Sequence, residues 1–411
     1  MNKFILFYKL TIILILKSLH LFIFIQSKKI IFSEEGIPKP NKTNGIMHFI
    51  NCGKADSILV EQNGRYGLID ASRPHLGATD IVESISIGAE ESPDNSAQAV
   101  VNYLTHLGID HLDFVLVTHA HIDHIGGMPQ IAYHFVNKNT KFIFKKYRIN
   151  REDNKMYFNP AYNSMKAKGA QLIELIDEKY EFDFGDMHFE LININNQKHY
   201  SENHNSIGTI VTYKSKRIFL AADFEVGNEL IYKDQIGKID MLKLPHHGTD
   251  SSSFEFLNTT RPNYTVITNN EFPNYAIIPT SILQQIFKGK VYYVGGVSTT
   301  SENVATSAIR LYLSENVLDN SEKTKYFLYL ENTGGNIDTG KDLNGLKTYQ
   351  SYTFYFKNGK IITGLQILKG VNGKCRYYFE PDGHMVKDVC LTLEEKSYCF
   401  DNNGCCYDIK Y

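Results

Sequence analysis

At 411 residues, with 43% hydrophobic and 21% charged side chains, the chain has room for two or three domains and the composition of an ordinary globular protein. The formal net charge is −2, and five lysines with no acid fall in the first 29 residues, so the remainder is more acidic than the total. That balance argues against a strongly nucleic-acid-binding surface and leaves room only for a local basic groove.

Residues 1–31 differ from everything after them. Lys3 and Lys9 flank an apolar start, Leu10–Leu16 and Leu21–Ile25 form short apolar runs, and Lys28 and Lys29 follow. A basic start and a short apolar core predict a signal peptide or a membrane anchor, hence export. Lys17, near the middle, disfavours the anchor. Residues 32–46 are polar with two prolines and read as a linker.

From about 47 to 331 the pattern is α/β. Strand-like runs cover 46–51, 57–61, 66–69, 114–118, 141–144, 188–194, 208–213, 218–222, 239–244 and 264–268. Helical patterns cover 97–107, 160–178, 224–234 and 280–287. Meandering strands that then alternate with helices predict two sheets sandwiched between outer helices. Residues 332–350, rich in Gly, Asn, Asp and Thr, read as a connector.

The tail, 351–411, repeats one pattern three times: aromatics followed by an Asx/Gly turn at Gly359, Gly383 and Gly404. This is a β-hairpin signal with a period near 20 residues. Five of the six cysteines, Cys375, Cys390, Cys399, Cys405 and Cys406, crowd here, whereas Cys52 stands alone upstream. A cysteine-dense terminal module predicts disulfides and an oxidising compartment, with one thiol left over.

The densest chemistry is Thr118-His-Ala-His-Ile-Asp-His-Ile-Gly-Gly127, which follows the apolar run Asp113–Val117. A strand end that delivers His119, His121, Asp123 and His124 into a glycine-rich turn predicts a metal site, with zinc the best match. The cluster is too compact for one tetrahedral ion, so the pattern predicts two metals sharing a water. Manganese or another divalent ion is the alternative. Two further apolar strands end in metal-capable residues: Arg217–Ala222 ends at Asp223, and Ile239–Pro245 ends at His246-His247-Gly248. A carboxylate beyond a strand can bridge two cations, and a late histidine can complete the second site.

With these motifs in order, the chain resembles the metallo-β-lactamase superfamily over about residues 46–300. Besides the histidine motif, the match rests on Met47–Val60, Gly67–Ala71, Asn203-His-Asn-Ser206, Ala222-Asp223 and Lys243-Leu-Pro-His-His-Gly248. Within it, the chain is similar to the hydrolase domain of DNA-uptake competence proteins and to secreted phosphorylcholine esterases. The tail resembles choline-binding-type cell-wall repeats, although it lacks tryptophan altogether. The resemblance implies an αββα sandwich followed by a small β-hairpin repeat tail. It implies that His119 and His121 hold one metal, that Asp123 and His124 hold the other, and that Asp223 bridges. His246 or His247 completes the second site. His204 is the expected third ligand of the first, with His199 as substitute. Asp70 and Asp56 support the metal loop through hydrogen bonds. Asp123 or one of the paired histidines, His246 and His247, handles protons, and Lys145, Lys146 and Arg148 are candidates for a phosphate approach.

The expected function is an exported binuclear-metal hydrolase of phosphodiesters, acting on phosphorylcholine esters of a wall or membrane polymer or on nucleic acid. The tail favours the polymer, and the charge disfavours nucleic acid. Two alternatives stay open. One is hydrolysis of a carbon ester, lactone or β-lactam on the same fold. The other is a catalytically silent, wall-attached adhesion protein.

Overall fold

The computed structural model describes residues 42–74, 97–147, 151–195, 201–249, 251–296, 308–317, 324–333, 337, 343–370 and 373–406. The expected export segment lies outside the described residues. Among these residues no helix is long and apolar enough to cross a membrane.

Eight strands form the first sheet: β1 (Lys42–Ile50), β2 (Ile58–Gln62), β3 (Arg65–Ile69), β4 (Phe114–Val117), β5 (Lys141–Phe144), β6 (Gln171–Glu174), β14 (Ala308–Val317) and β15 (Thr324–Glu331). Their order is β15-β14-β1-β2-β3-β4-β5-β6. Seven form the second: β7 (Tyr180–Phe184), β8 (Met187–Ile192), β9 (Gly208–Tyr213), β10 (Lys216–Leu220), β11 (Met241–Lys243), β12 (Tyr264–Ile267) and β13 (Lys290–Tyr293), in the order β13-β12-β11-β10-β9-β8-β7. Both sheets follow one plan. An antiparallel meander (β1-β2-β3, then β7 to β10) passes into parallel strands (β4 to β6, then β11 to β13).

The helices α1 (Ala97–His106), α2 (Ile122–Ile125), α3 (Met128–Phe135), α4 (Glu152–Ala167), α5 (Val226–Ile236), α6 (Phe254–Thr260) and α7 (Ile277–Ser281) supply the outer layers. The reason is visible strand by strand. Period-2 alternation sends Met47 and Phe49 of β1 into the core between the sheets, beside Val60, Leu116, Phe189 and Leu220. The opposite face of the first sheet packs Leu59, Val115 and Phe142 against Val100, Ile131 and Phe158 of the helices. The second sheet does likewise with Phe219 and Leu242 against Phe256 and Leu257. Parallel strands such as Phe114-Val-Leu-Val117 are buried on both faces, hence their unbroken apolar sequence. The four layers make the αββα sandwich that the sequence predicts.

Two readings need correction. The helix expected at 160–178 is α4, Glu152–Ala167, with Pro160 inside it, and strand β6 occupies 171–174. Proline is commonest at a helix start, which draws the expected boundary to Pro160, but here the proline sits within the helix. The strands β7, β13, β14 and β15 were not anticipated. β14 reaches the first sheet by non-local pairing, Ile46 opposite Tyr312, and β15 adds to β14 as the next antiparallel strand, Leu311 opposite Leu330. No local pattern marks such a partner.

The tail forms three small sheets: β16 (Gly345–Tyr349), β17 (Tyr352–Lys357) and β18 (Lys360–Ile362); β19 (Gly364–Gly370) with β20 (Gly373–Phe379); and β21 (Val389–Leu393) with β22 (Lys396–Phe400). Asn358-Gly359 turns β17 into β18. Gly383 and Gly404 instead follow β20 and β22, so in the second and third units the aromatic strand forms its ladder only with the strand before it. Disulfides join Cys375 to Cys405 and Cys390 to Cys399, while Cys52 and Cys406 are buried outside both bonds.

Candidate metal centre

Strand ends from both sheets meet at one edge of the sandwich. β4 leads to His119 and His121, and α2 carries Asp123 and His124. Gly127 makes that turn fit, because a Cβ there would lie 2.1 Å from Ala71 O and 2.4 Å from Ala97 Cβ. β10 leads to Asp223, β11 to His246 and His247, β3 to Asp70, and the loop after β1 to Asp56. Several non-glycine residues here hold positive φ: Asp70 (58°), Ser72 (65°), Ala222 (47°), His246 (46°), His247 (52°) and Ser252 (81°). Each such residue costs of order 1–3 kcal/mol, and such strain clusters at functional sites.

Donor atoms converge in two main groups. His119, His121 and Asp223 form one, and Asp123, His124 and His247 the other. Asp223 lies between them. Its Oδ1 is 3.2 Å from His124 Nε2 and 3.3 Å from His247 Nε2, and its Oδ2 is 3.9 Å from His119 Nε2. Hydrogen bonds decide which ring nitrogens face inward. Thr118 donates its backbone N–H (2.8 Å) and hydroxyl (2.7 Å) to Asp70, and the same hydroxyl oxygen accepts from His119 Nδ1 at 3.1 Å. His124 Nδ1 donates to Asp70 at 2.7 Å. His247 Nδ1 donates to Thr268 O at 3.1 Å, with Asp56 Oδ1 3.3 Å away. All three rings therefore present Nε2 to the centre, the arrangement expected of buried metal-binding histidines.

The residues fit a metal. His124 Nε2 and His247 Nε2 lie within 3.3 Å of Asp223 Oδ1, all three buried and without a well-directed hydrogen bond, a costly arrangement for such groups. The electrostatics agree. Burial opposes charge on His124, yet Asp223 and Asp70 hold its pKa well above the ordinary histidine value. His247 is likewise pushed up to about 9, with Asp223 and Asp56 outweighing burial. Burial, with His124 and His121 beside it, drives His119 well below its usual value. Burial works against the Asp223 charge, but His124 and His247 hold its carboxyl well below the usual range. Buried carboxylates that converge with imidazoles at this range form a donor set that suits divalent cations.

The remaining expectations separate. Of the paired histidines, His247 joins the second group. His246, partly exposed, lies 3.6 Å from Asp223 Oδ2 and 3.3 Å from Asn203 Nδ2. His204 joins neither group: its Nδ1 pairs with Glu225, the N-cap of α5, and its carbonyl accepts from Asn193 and Asn228. The neighbouring Asn203 faces the site instead, its buried Oδ1 without a hydrogen-bond partner. His199 and Arg148 lie outside the described residues. Lys145 is buried on Asn193 O, and Lys146 is exposed, with its ammonium over the Tyr147 ring.

Three residues escaped the sequence reading. Lys243, buried beneath the centre, contacts Asp56 and donates to Ala222 O at 2.8 Å. Glu202 accepts from Ala120 N–H at 3.3 Å, between the two first-group histidines. Arg73 reaches to 3.4 Å of Asp123 Oδ2, with its guanidinium partly exposed. Lys243 stood within the quoted Lys243–Gly248 motif, which was the available signal. Arg73 and Glu202 had none.

The fold and the two ligand groups define a metal-dependent hydrolase. The family model of the Metallo-beta-lactamase superfamily matches residues 50–266, and the chain belongs to that superfamily. The chain is 25% identical over 235 residues to Recombination protein 2 of Haemophilus influenzae, which spans 56% of this chain but only 25% of that protein. Similar solved structures include CmlA, a diiron beta-hydroxylase from Streptomyces venezuelae (TM-score 0.38, 11% identity, 62% of this chain and 53% of that one). Another is the metallo-beta-lactamase fold protein YhfI from Bacillus subtilis (TM-score 0.37, 10% identity, 61% and 96%).

Proposed function

We propose that the protein is an exported phosphodiesterase working with two zinc ions. The observation that carries this reading is Asp223, whose two carboxylate oxygens face two separate sets of ligand-capable side chains. His119, His121 and Asp223 would hold one ion, and Asp123, His124, His247 and Asp223 the other. Ions held there supply Lewis acidity and a nucleophilic water at neutral pH.

The chain's own residues supply the rest. Asp70 and Thr268 fix the histidine tautomers. His246 stands at the open side of the centre, where its ring can pass a proton to a departing oxygen. Arg73 places a guanidinium at the rim beside Asp123, and a guanidinium complements the paired oxygens of a phosphodiester better than a neutral ester. Export is supported by the basic-apolar N-terminus and by the two tail disulfides, which suit an oxidising compartment. The aromatic tail supports attachment to a wall or membrane polymer bearing phosphorylcholine-type esters.

The test is hydrolysis of p-nitrophenyl phosphorylcholine beside bis-p-nitrophenyl phosphate, with and without zinc, using Asp223→Ala as control. Zinc-dependent release lost in the variant is the expected result. Two bound zinc ions with neither ester cleaved would overturn the phosphodiesterase reading in favour of carbon esters. Absence of bound metal would favour the silent adhesion protein.

A further inference from the structure

Ser251, Ser252 and Ser253, which lead into α6 just after His247 in the chain, are gripped from two sides. From the hydrolase side, the buried carboxylate of Glu229 on α5 accepts the backbone N–H groups of Ser252 and Ser253, each at 2.6 Å. From the tail side, the Tyr349 hydroxyl on β16 points at the carbonyls of Ser251 (2.8 Å) and Ser252 (3.0 Å). Ser253 then caps α6, accepting from Phe256 N–H.

The sheet that carries Tyr349 is embedded in the hydrolase. Phe354 and Phe356 are fully buried in one cluster with Phe254 and Ile282. Tyr352 donates to Glu255 at 2.9 Å. Gln285 bonds both to Gly359 O (2.8 Å) and to Ile361 N–H (2.7 Å). The second and third units pack mainly around Tyr377, Phe379 and Met385 and around Val386 and Phe400, and His384 of the second unit also lies 5.6 Å from Phe254.

We propose that the first tail unit, β16 to β18, is a working part of the metal centre, and that Tyr349 is a positioning residue for the loop that carries His247. The physical reason is strain. His246, His247 and Ser252 all hold positive φ, and such backbone persists only where its surroundings over-determine it. Glu229 fixes the loop's N–H groups and Tyr349 fixes its carbonyls. With the hydroxyl gone, the loop can relax, and His247 Nε2 drifts from Asp123 and Asp223. The first tail unit thus braces the metal centre, and the second adds to its footing where His384 meets Phe254 and Tyr352.

This inference rests on the proposed metal centre, and its test avoids turnover. Full-length Tyr349→Phe is compared with wild type and with Tyr398→Phe in the third unit. Zinc is titrated against a competing chelator, and hydrogen exchange is followed across 248–253. Tyr349→Phe is expected to weaken one of two zinc steps about tenfold, leave the other unchanged, and speed exchange in that segment. Tyr398→Phe is expected to do neither. Wild-type zinc binding and exchange in Tyr349→Phe would overturn the proposal, as would equal weakening of both steps alongside a lower melting temperature. If the wild type takes up no zinc, the proposed function fails, and exchange across 248–253 still decides the brace by the same criterion.

Discussion

Lys243 Nζ lies 2.5 Å from Asp56 Oδ2, an ion pair wholly buried beneath the metal centre. The same ammonium is 4.0 Å from Asp223 Oδ1 and donates to Ala222 O, so one cation ties the loop after β1 to the strand end that carries Asp223. Asp56 passes the constraint onward, because it accepts from Thr268 Oγ1 at 2.5 Å and faces His247 Nδ1. With Lys243 and His247 beside it, Asp56 keeps its carboxyl far below the usual range despite burial.

Breaking that pair from one side strands a buried charge. Lys243→Met is expected to cost about 3–5 kcal/mol in denaturant unfolding. The double variant Lys243→Met/Asp56→Asn should recover much of it, because no unpaired charge remains. A double variant no more stable than the single would show that packing, not charge, sets the loss.

The two neighbouring histidines should separate cleanly. His247→Ala removes a ligand atom and is expected to leave one zinc ion per chain, measured by elemental analysis after dialysis. His246→Ala should keep two ions and lose about 10²–10⁴-fold in kcat, the usual range for a general acid–base group.

Arg73 is expected to act on anionic substrates. Arg73→Gln should raise KM for bis-p-nitrophenyl phosphate about tenfold, the worth of a charge-assisted hydrogen bond, while zinc content holds. A neutral p-nitrophenyl ester, if turned over, should show no change. An equal loss on both esters would point to disturbance of Asp123 instead.

Glu229 gives a pH dependence of known sign. Burial pushes its carboxyl from 4.5 up to about 7, against the pull of the Ser253 and Ser252 N–H groups, and Glu255 adds to the rise. The folded state therefore holds the proton more tightly than the unfolded chain. Its contribution to stability is full below about pH 4.5 and is lost as pH rises through 7, by about 3 kcal/mol at the linkage slope. Glu229→Gln should flatten the melting-temperature profile across that window.

Much of the centre was legible because its ligand-capable residues sit where local pattern meets strand ends. His119, His121, Asp123 and His124 are contiguous, and Asp223 and His247 each end an apolar strand. His204 shows the limit. As an isolated residue it is a good zinc ligand, but Glu225, twenty-one positions away, holds its ring. The choice between His246 and His247 was open for the same reason: adjacent residues differ only in which way a strained backbone turns them.

By itself the sequence determined the αββα class, since hydrophobic periodicity is a local property written into each strand and helix. It also determined the metal-binding chemistry, since ligand type and spacing are covalent facts. Only the tertiary structure decided what depends on long-range approach. Lys243 meets Asp56 across 187 positions, β14 pairs with β1, and Tyr349 grips the loop after His247. Such contacts are fixed by how layers pack and which polar groups burial forces to pair, and neither is encoded in any short run of residues.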